Sequence, residues 1–261
     1  MTSANVDLSA SCSIFPLGDS AITVDLGNCI DEQLNRRALV IHDWLQAHRL
    51  PGIQDILVAY SSVSIYYDPT AVKGGGLDGF PGVYHRFQQL MERALEETGG
   101  MPDGIPVAPG QGHHFRIPVC YEKAYAPDLD WVAGEKGLFP DEVISLHSLQ
   151  QYRVYMVGFL PGFPYLGKTD VRLEVARKPQ PTPVKAGGVG IAGMQTGVYP
   201  LNSPGGWQII GQTPIALFNP NADPPIHLQT GDSVQFYPIS ESEFRNWKGV
   251  HPDVRHGMPF K

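Results

Sequence analysis

Residues 152–167, YRVYMVGFLPGFPYLG, and residues 188–212, GVGIAGMQTGVYPLNSPGGWQIIGQ, decide how the larger part of this chain folds. Each is a succession of short β-rich runs cut by Pro and Gly clusters, and the pattern continues to VQFYPI at 234–239. No helix of ordinary length fits between Gly158 and Pro238. Short strands punctuated in this way predict a closed β-barrel rather than a series of βαβ units. The glycines of 188–193 also spell G-x-G-x-x-G, the pattern of a dinucleotide-binding turn. That turn has to follow a buried strand and open a helix whose N-terminus receives the pyrophosphate. Here the Pro-rich KPQPTP precedes it, and Gly197 and Pro200 follow too closely for a long helix, so the dinucleotide reading is set aside. The glycines instead let a tight barrel segment approach another strand or a ligand.

Working outward, FRIPVCY (115–121) opens a strand, and APDLDWVAGEKG (126–137) and FPDEVISLHS (139–148) read as short helices. In the second of these, Pro140 followed by Asp141 and Glu142 suits a helical first turn. TGGMPDGIPVAPGQG (98–112) has no periodicity and reads as a Gly/Pro-rich linker. Before it, SIFPLGDSAITVDLG (13–27) gives two strands around a Gly18-Asp19-Ser20 turn. Asp31 then caps an amphipathic helix with Leu34, Ala38, Ile41 and Leu45 on one face. IQDILVAYSS and VSIYYDP add two β-rich runs, and a second amphipathic helix spans roughly 81–97. The order ββαββα predicts a small α+β domain of ferredoxin-like flavour, its sheet covered on one face by two helices. The expected organisation is an α+β domain at 1–98, a linker at 99–112, a β-barrel at 113–240 and a tail at 241–261, in which a short helix ends at Gly249.

Composition bounds the function. The 261 residues hold 42% hydrophobic and 17% charged side chains, as in a globular protein. The formal charge of −7 opposes a nucleic-acid backbone, so nucleic acid is not an expected partner. Cys12, Cys29 and Cys120 are odd in number and lack CxxC spacing, which fits a reducing, cytoplasmic setting rather than a disulfide framework. No apolar run approaches the roughly 20 residues of a membrane span, and the N-terminus lacks the basic and apolar segments of a signal peptide. The histidines form no HExxH or similar spacing, so no metal site is expected. No P-loop, GxSxG elbow or catalytic carboxylate pair is present, and the residues name no nucleophile.

Candidate binding groups gather in the barrel half, each with two readings. GFLPGFPYLG, with Phe163 and Tyr165, is either a barrel corner of buried rings or an apolar wall for a small planar ring, and the two are compatible. Trp207, after Gly205-Gly206, either plugs the barrel or lines a pocket beside it. Gln195 offers an amide donor and acceptor to a ligand, or lies on the surface. His147, near a helix C-terminus, either serves the helix dipole as a cation or contacts a ligand as acid or base. Arg177, Lys178 and Lys185 bracket the Pro-rich segment as a phosphate- or carboxylate-binding group, or as a solvated basic loop.

LHSLQQYRVYMVGFLPGFPYLG (146–167), VGIAGMQTGVYPLNSPGGWQIIGQTPIALFNP (189–220) and GDSVQFYPI (231–239) closely resemble the PxpB/KipI family, also described as allophanate hydrolase subunit 1-like. FPLGDSAITVDLG (15–27) resembles the opening of that family, so only the tail falls outside. The resemblance implies a cyclophilin-like barrel after the α+β domain, and one half of a carboxyltransferase-type module of urea-processing enzymes. Bacterial members join A and C partner subunits in 5-oxoprolinase, which converts 5-oxoproline, ATP and water to glutamate, ADP and phosphate. ATP is thus implied as co-substrate of the complex. For such a reaction Phe163, Tyr165 and Trp207 would wall the ring, Gln195 and His147 would contact the substrate, and Arg177, Lys178 and Lys185 would meet phosphate. Two alternatives come with the family: a KipI-like inhibitor of a sensor histidine kinase, and a urea- or allophanate-related hydrolase component. One departure stands out in ARKPQPTPVKAGGVGIAG (176–193): Arg177 matches the first of two family arginines, whereas Thr182 or Pro183 stands near the place of the second.

Overall fold

The structure, a computed structural model, describes residues 12–72, 82–99, 112–247 and 253–255. The chain divides into two compact units, Met1–Pro109 and Gly110–Lys261. All but the first and last residues of the expected linker at 99–112 lie outside the described residues.

In the first unit the order is β1 (Ser13–Pro16), β2 (Ala21–Asp25), α1 (Glu32–Ala47), β3 (Ile53–Ala59), β4 (Ser62–Tyr67) and α2 (Val83–Gly99). The four strands form an antiparallel sheet in the order β1-β2-β4-β3. Alternation sends Ile22, Val24, Val63 and Ile65 to one side, where they meet Leu34, Ala38, Ile41 and Leu45 of α1 and Phe87, Leu90 and Met91 of α2. Asp31 caps α1, its carboxylate accepting the backbone N–H of Gln33 and Leu34 at 2.9 and 3.0 Å.

The second unit runs β5 (His114–Cys120), α3 (Leu129–Lys136), α4 (Pro140–Ser148), β6 (Gln151–Val157), β7 (Pro164–Gly167), a single 3-10 turn at Val171–Leu173, β8 (Thr182–Val184), β9 (Gly188–Ala192), β10 (Gln195–Val198), β11 (Ser203–Gly205), β12 (Gln208–Gln212), β13 (Ser233–Ile239), α5 (Glu241–Arg245) and β14 (Asp253–Arg255). Seven strands close into a barrel in the cyclic order β5-β12-β9-β10-β7-β6-β13. β13 returns beside β5 in parallel over its whole length, and every other neighbouring pair in the barrel is antiparallel. Closure removes the open edges that short strands would otherwise expose. The fold is therefore mixed α+β with a closed seven-stranded barrel.

Side chains from every barrel wall fill the lumen, among them Ile117, Val154, Leu166, Ile191, Val198 and Phe236, and α3 and α4 add Val132 and Val143. After residue 240, the short helix α5 ends at Arg245, four residues before Gly249, and β14 pairs with β5 at His114–Arg116. Capping explains that helix, because Ser240 Oγ accepts the Glu243 N–H while the Glu243 carboxylate accepts the Ser240 N–H.

Candidate functional site

Strands β7, β10, β9 and β12 form adjacent staves of the barrel, and their alternation gives this wall two faces. Thr196 and Val198 of β10 point inward with Ile191 of β9, and all three are buried. Gln195 and Gly197 share the outward side with Tyr165, Gly190 and Ala192, since they pair in register with Gly167, Tyr165, Ala192 and Gly190. On that outer side lies a second apolar cluster, separate from the lumen, made of Phe163, Val184, Ala192, Tyr199, Trp207 and Ile209 with Leu160 and Tyr165 at its border.

The glycines make this cluster possible. A Cβ at Gly197 would sit 2.9 Å from the Phe163 ring, and one at Gly190 would sit 3.0 Å from Trp207 Cβ. With hydrogen in those places the aromatic rings lie directly against the strands. The G-x-G-x-x-G stretch is accordingly strand β9 followed by a turn at Gly193, with β10 where a dinucleotide fold would have a helix.

Ring geometry is dense. Phe163 lies 4.8 Å from Tyr165, 5.0 Å from Tyr199 and 5.4 Å from Trp207, the last two edge to face. Trp207 is 5% exposed, so it packs as a core residue, but in the outer cluster rather than as a plug of the lumen. Arg177 lies over it, the guanidinium carbon 6.0 Å from the ring centroid. Burial raises the Tyr165 and Tyr199 hydroxyl pKa values, and the nearby Arg177 cation opposes that rise in both. One exposed guanidinium therefore faces two phenols and an indole, an arrangement suited to a planar, anion-bearing ligand. Gln195 is half-buried at the start of β10 on the same side.

The three expected cations do not converge. Lys178 Nζ is held 2.6 Å from Asp128 Oδ2 and donates to Thr182 Oγ1 at 3.1 Å. Asp128 Oδ2 also accepts the Ile209 N–H at 2.6 Å, so this pair fastens the segment before α3 to β12. Lys185 is exposed in the turn between β8 and β9. Arg177 alone of the three sits at the aromatic cluster.

His147 stands on the other side of the wall. Its ring is fully buried in the lumen and stacked on Phe236 at 4.7 Å. Thr196 Oγ1 donates to the Gly190 carbonyl at 3.0 Å, which leaves its oxygen to accept from His147 Nε2–H at 2.8 Å. Nδ1 then accepts the Tyr121 O–H at 2.8 Å. Burial drives the His147 pKa down to about 3, so the ring is neutral at pH 7 and is no cation for the helix dipole.

Tyr199 and Asp128 belong to this architecture and were not singled out from sequence. Tyr199 had a signal, the two-residue step from Gly197 that puts both on one strand side; Asp128 had none, lying 50 or more residues before its partners. Among the described residues no group of three His, Cys, Asp or Glu side chains could hold a metal ion, and no helix is long and apolar enough to cross a membrane.

Residues 12–228 match the family described as carboxyltransferase domain, subdomain C and D. The chain is 40% identical over 233 residues to the 5-oxoprolinase B subunit of Bacillus subtilis, covering 89% of this chain and 95% of that protein. It is 50% identical over 226 residues to the 5-oxoprolinase B subunit of Escherichia coli O157:H7, covering 86% and 95%. The crystal structure of the K. lactis urea amidolyase superposes with a TM-score of 0.73 at 21% identity, over 96% of this chain and 16% of that one, a likeness of fold.

Proposed function

The chain belongs to the carboxyltransferase subdomain C and D family, and from that premise we propose that it is the B subunit of a cytoplasmic, ATP-dependent 5-oxoprolinase completed by A and C partner subunits. One observation carries the reading: identity of 40 to 50% to two proteins of that name, covering 95% of each. The urea-processing alternative has fold likeness and more distant identity behind it. In the finer reading of the fold, the barrel is cyclophilin-like and the first unit has a ferredoxin-like flavour.

The chemistry suits the outer face. An unstrained lactam resists hydrolysis; phosphorylation of its amide oxygen by ATP activates the ring carbon. Water adds there, the C–N bond breaks to open the ring as an acyl phosphate, and a second water displaces phosphate to leave glutamate. In this reading Tyr165, backed by the buried Phe163 and Trp207, borders the ring of 5-oxoproline, Gln195 reads its amide, and Arg177 receives its carboxylate or the transferring phosphoryl group. His147 acts from behind, holding Thr196 and through it the backbone of Gly190, the glycine against which Trp207 packs. Lys178 is spent on Asp128, and Lys185 lies at the periphery. One exposed guanidinium fits a single anion and not a triphosphate, and the glycine stretch is a strand rather than a phosphate loop. The nucleotide contacts and the catalytic base are therefore assigned to the partner subunits, which complete the site against this face.

Reconstitution tests the proposal. The purified chain alone is expected to show no 5-oxoproline-dependent ATP hydrolysis, and addition of A and C subunits to restore glutamate formation. Turnover by the isolated chain would refute the need for partners. Inactivity with authentic partners would refute the 5-oxoprolinase assignment.

A further inference from the structure

A concavity in the barrel unit shares no residue with the aromatic face. It is a cleft of about 380 Å³ where the end of β5, α3, α4 and the end of β13 meet, within the range of about 300–1,000 Å³ typical of ligand sites. Its floor is apolar, with Ala126, Leu129, Ile144 and Ile239. Its rim is acidic: Glu122, Asp130 and Asp141 stand against the single ammonium of Lys123, which already lies 3.5 Å from Asp130. Beyond the rim, the chain neighbours of Asp130 and Pro140 are Trp131 and Phe139, large apolar side chains 49% and 76% exposed.

We propose that this cleft is a docking site for a partner protein, which inserts a segment combining apolar side chains with Lys or Arg. Charge complementarity selects the sign, because excess carboxylates around an apolar floor repel anions and hold a cation whose stem packs below them. The exposed aromatics select a polypeptide over a small molecule. A compound that filled the cleft alone would leave Trp131 and Phe139 in water, whereas a chain crossing the rim covers them. The site is independent of the aromatic face, so it stands or falls apart from the proposed enzymatic role.

The test uses the full chain, isotope-labelled for NMR, titrated with the peptide acetyl-Lys-Leu-Phe-Lys-Leu-amide and with its counterpart carrying Glu for Lys. The basic peptide is expected to shift the amide signals of Ala126, Leu129 and Ile144 and to bind less tightly as salt rises. The double variant Asp130→Asn/Asp141→Asn, which changes only exposed groups, is expected to weaken that binding about tenfold with only a small fall in melting temperature, since each carboxylate sits in the first turn of a helix. Phe139→Ser should weaken it independently. Equal binding of the acidic peptide, signal shifts confined to Tyr165 and Gln195, or undiminished affinity of the double variant would each overturn the proposal. Concentration-dependent dimerisation in sedimentation that the double variant abolishes would overturn it too, by assigning the cleft to a second copy of the chain.

Discussion

Gln195 and Thr196 are neighbours on one strand, yet one faces the outside of the barrel and the other its lumen. On the lumen side every polar atom of the Tyr121–His147–Thr196 chain is engaged, and the chain ends on the Gly190 carbonyl. On the outer side rings are stacked against glycines, and a guanidinium lies open above them. The lesson is that burial alone does not mark a site. The inner face spends its polar groups on itself, whereas the outer face leaves some to spare, and only the second arrangement can bind something new.

The comparison is broken most severely by removing a ring. Trp207→Ala should cost about 3–5 kcal/mol in denaturant unfolding, because an indole 5% exposed leaves a cavity in the outer cluster. A loss below about 1 kcal/mol, the level of an ordinary surface change, would mean that the outer cluster packs as surface and not as a second core.

Less severe is Gly197→Val, whose Cβ would fall 2.8 Å from the Pro164 carbonyl oxygen and 2.9 Å from the Phe163 ring. A loss of about 1–3 kcal/mol is expected from forced displacement of the ring. Unchanged stability would remove close approach as the reason for glycine there.

Protonation probes the lumen. The folded-state pKa of His147 lies at about 3, below the ordinary 6.5, so the unfolded chain binds the proton that the folded chain refuses. Its contribution is fully present above pH 6.5 and is lost as pH falls toward 3, at up to about 1.4 kcal/mol per unit. Tyr121 and Tyr152, which face the ring, have pKa values raised by burial and do not titrate in this window. Unfolding curves at pH 7 and pH 4 should therefore differ less in His147→Gln than in the wild type; an equal difference would place an accessible, titrating histidine in the lumen.

The smallest stability effects belong to the open groups, where function should respond instead. Arg177→Ala and Gln195→Ala should each change stability by within about 0.5 kcal/mol. In the reconstituted complex each should lower kcat/KM by about tenfold or more, as loss of a charge-assisted or amide contact in the transition state would. Wild-type kinetics from correctly assembled variants would remove them from the site.

Local pattern went far in this chain. The two strands in 13–27, the β-rich run at 63–69, the helical spacing of Leu34, Ala38, Ile41 and Leu45, and the cap at Asp31 were all readable, because each depends on residues a few positions apart. The Pro- and Gly-broken runs announced short strands, and the residues on either side of Gly188–Gly193 excluded a dinucleotide turn for the same local reason. What the tertiary structure alone decided depends on distant partners. β13 closes the barrel by running parallel to β5, more than 100 residues away, and Asp128 takes Lys178 out of the cation group from 50 positions upstream. His147 looked equally able to meet a ligand or a helix dipole; its place behind the wall follows from which strands and helices surround α4. The sequence by itself determined which segments were strands and which faces were apolar, since those preferences are local. Which side of the barrel wall each polar group faced, and whether a partner had already claimed it, was decided by the closure of the sheet.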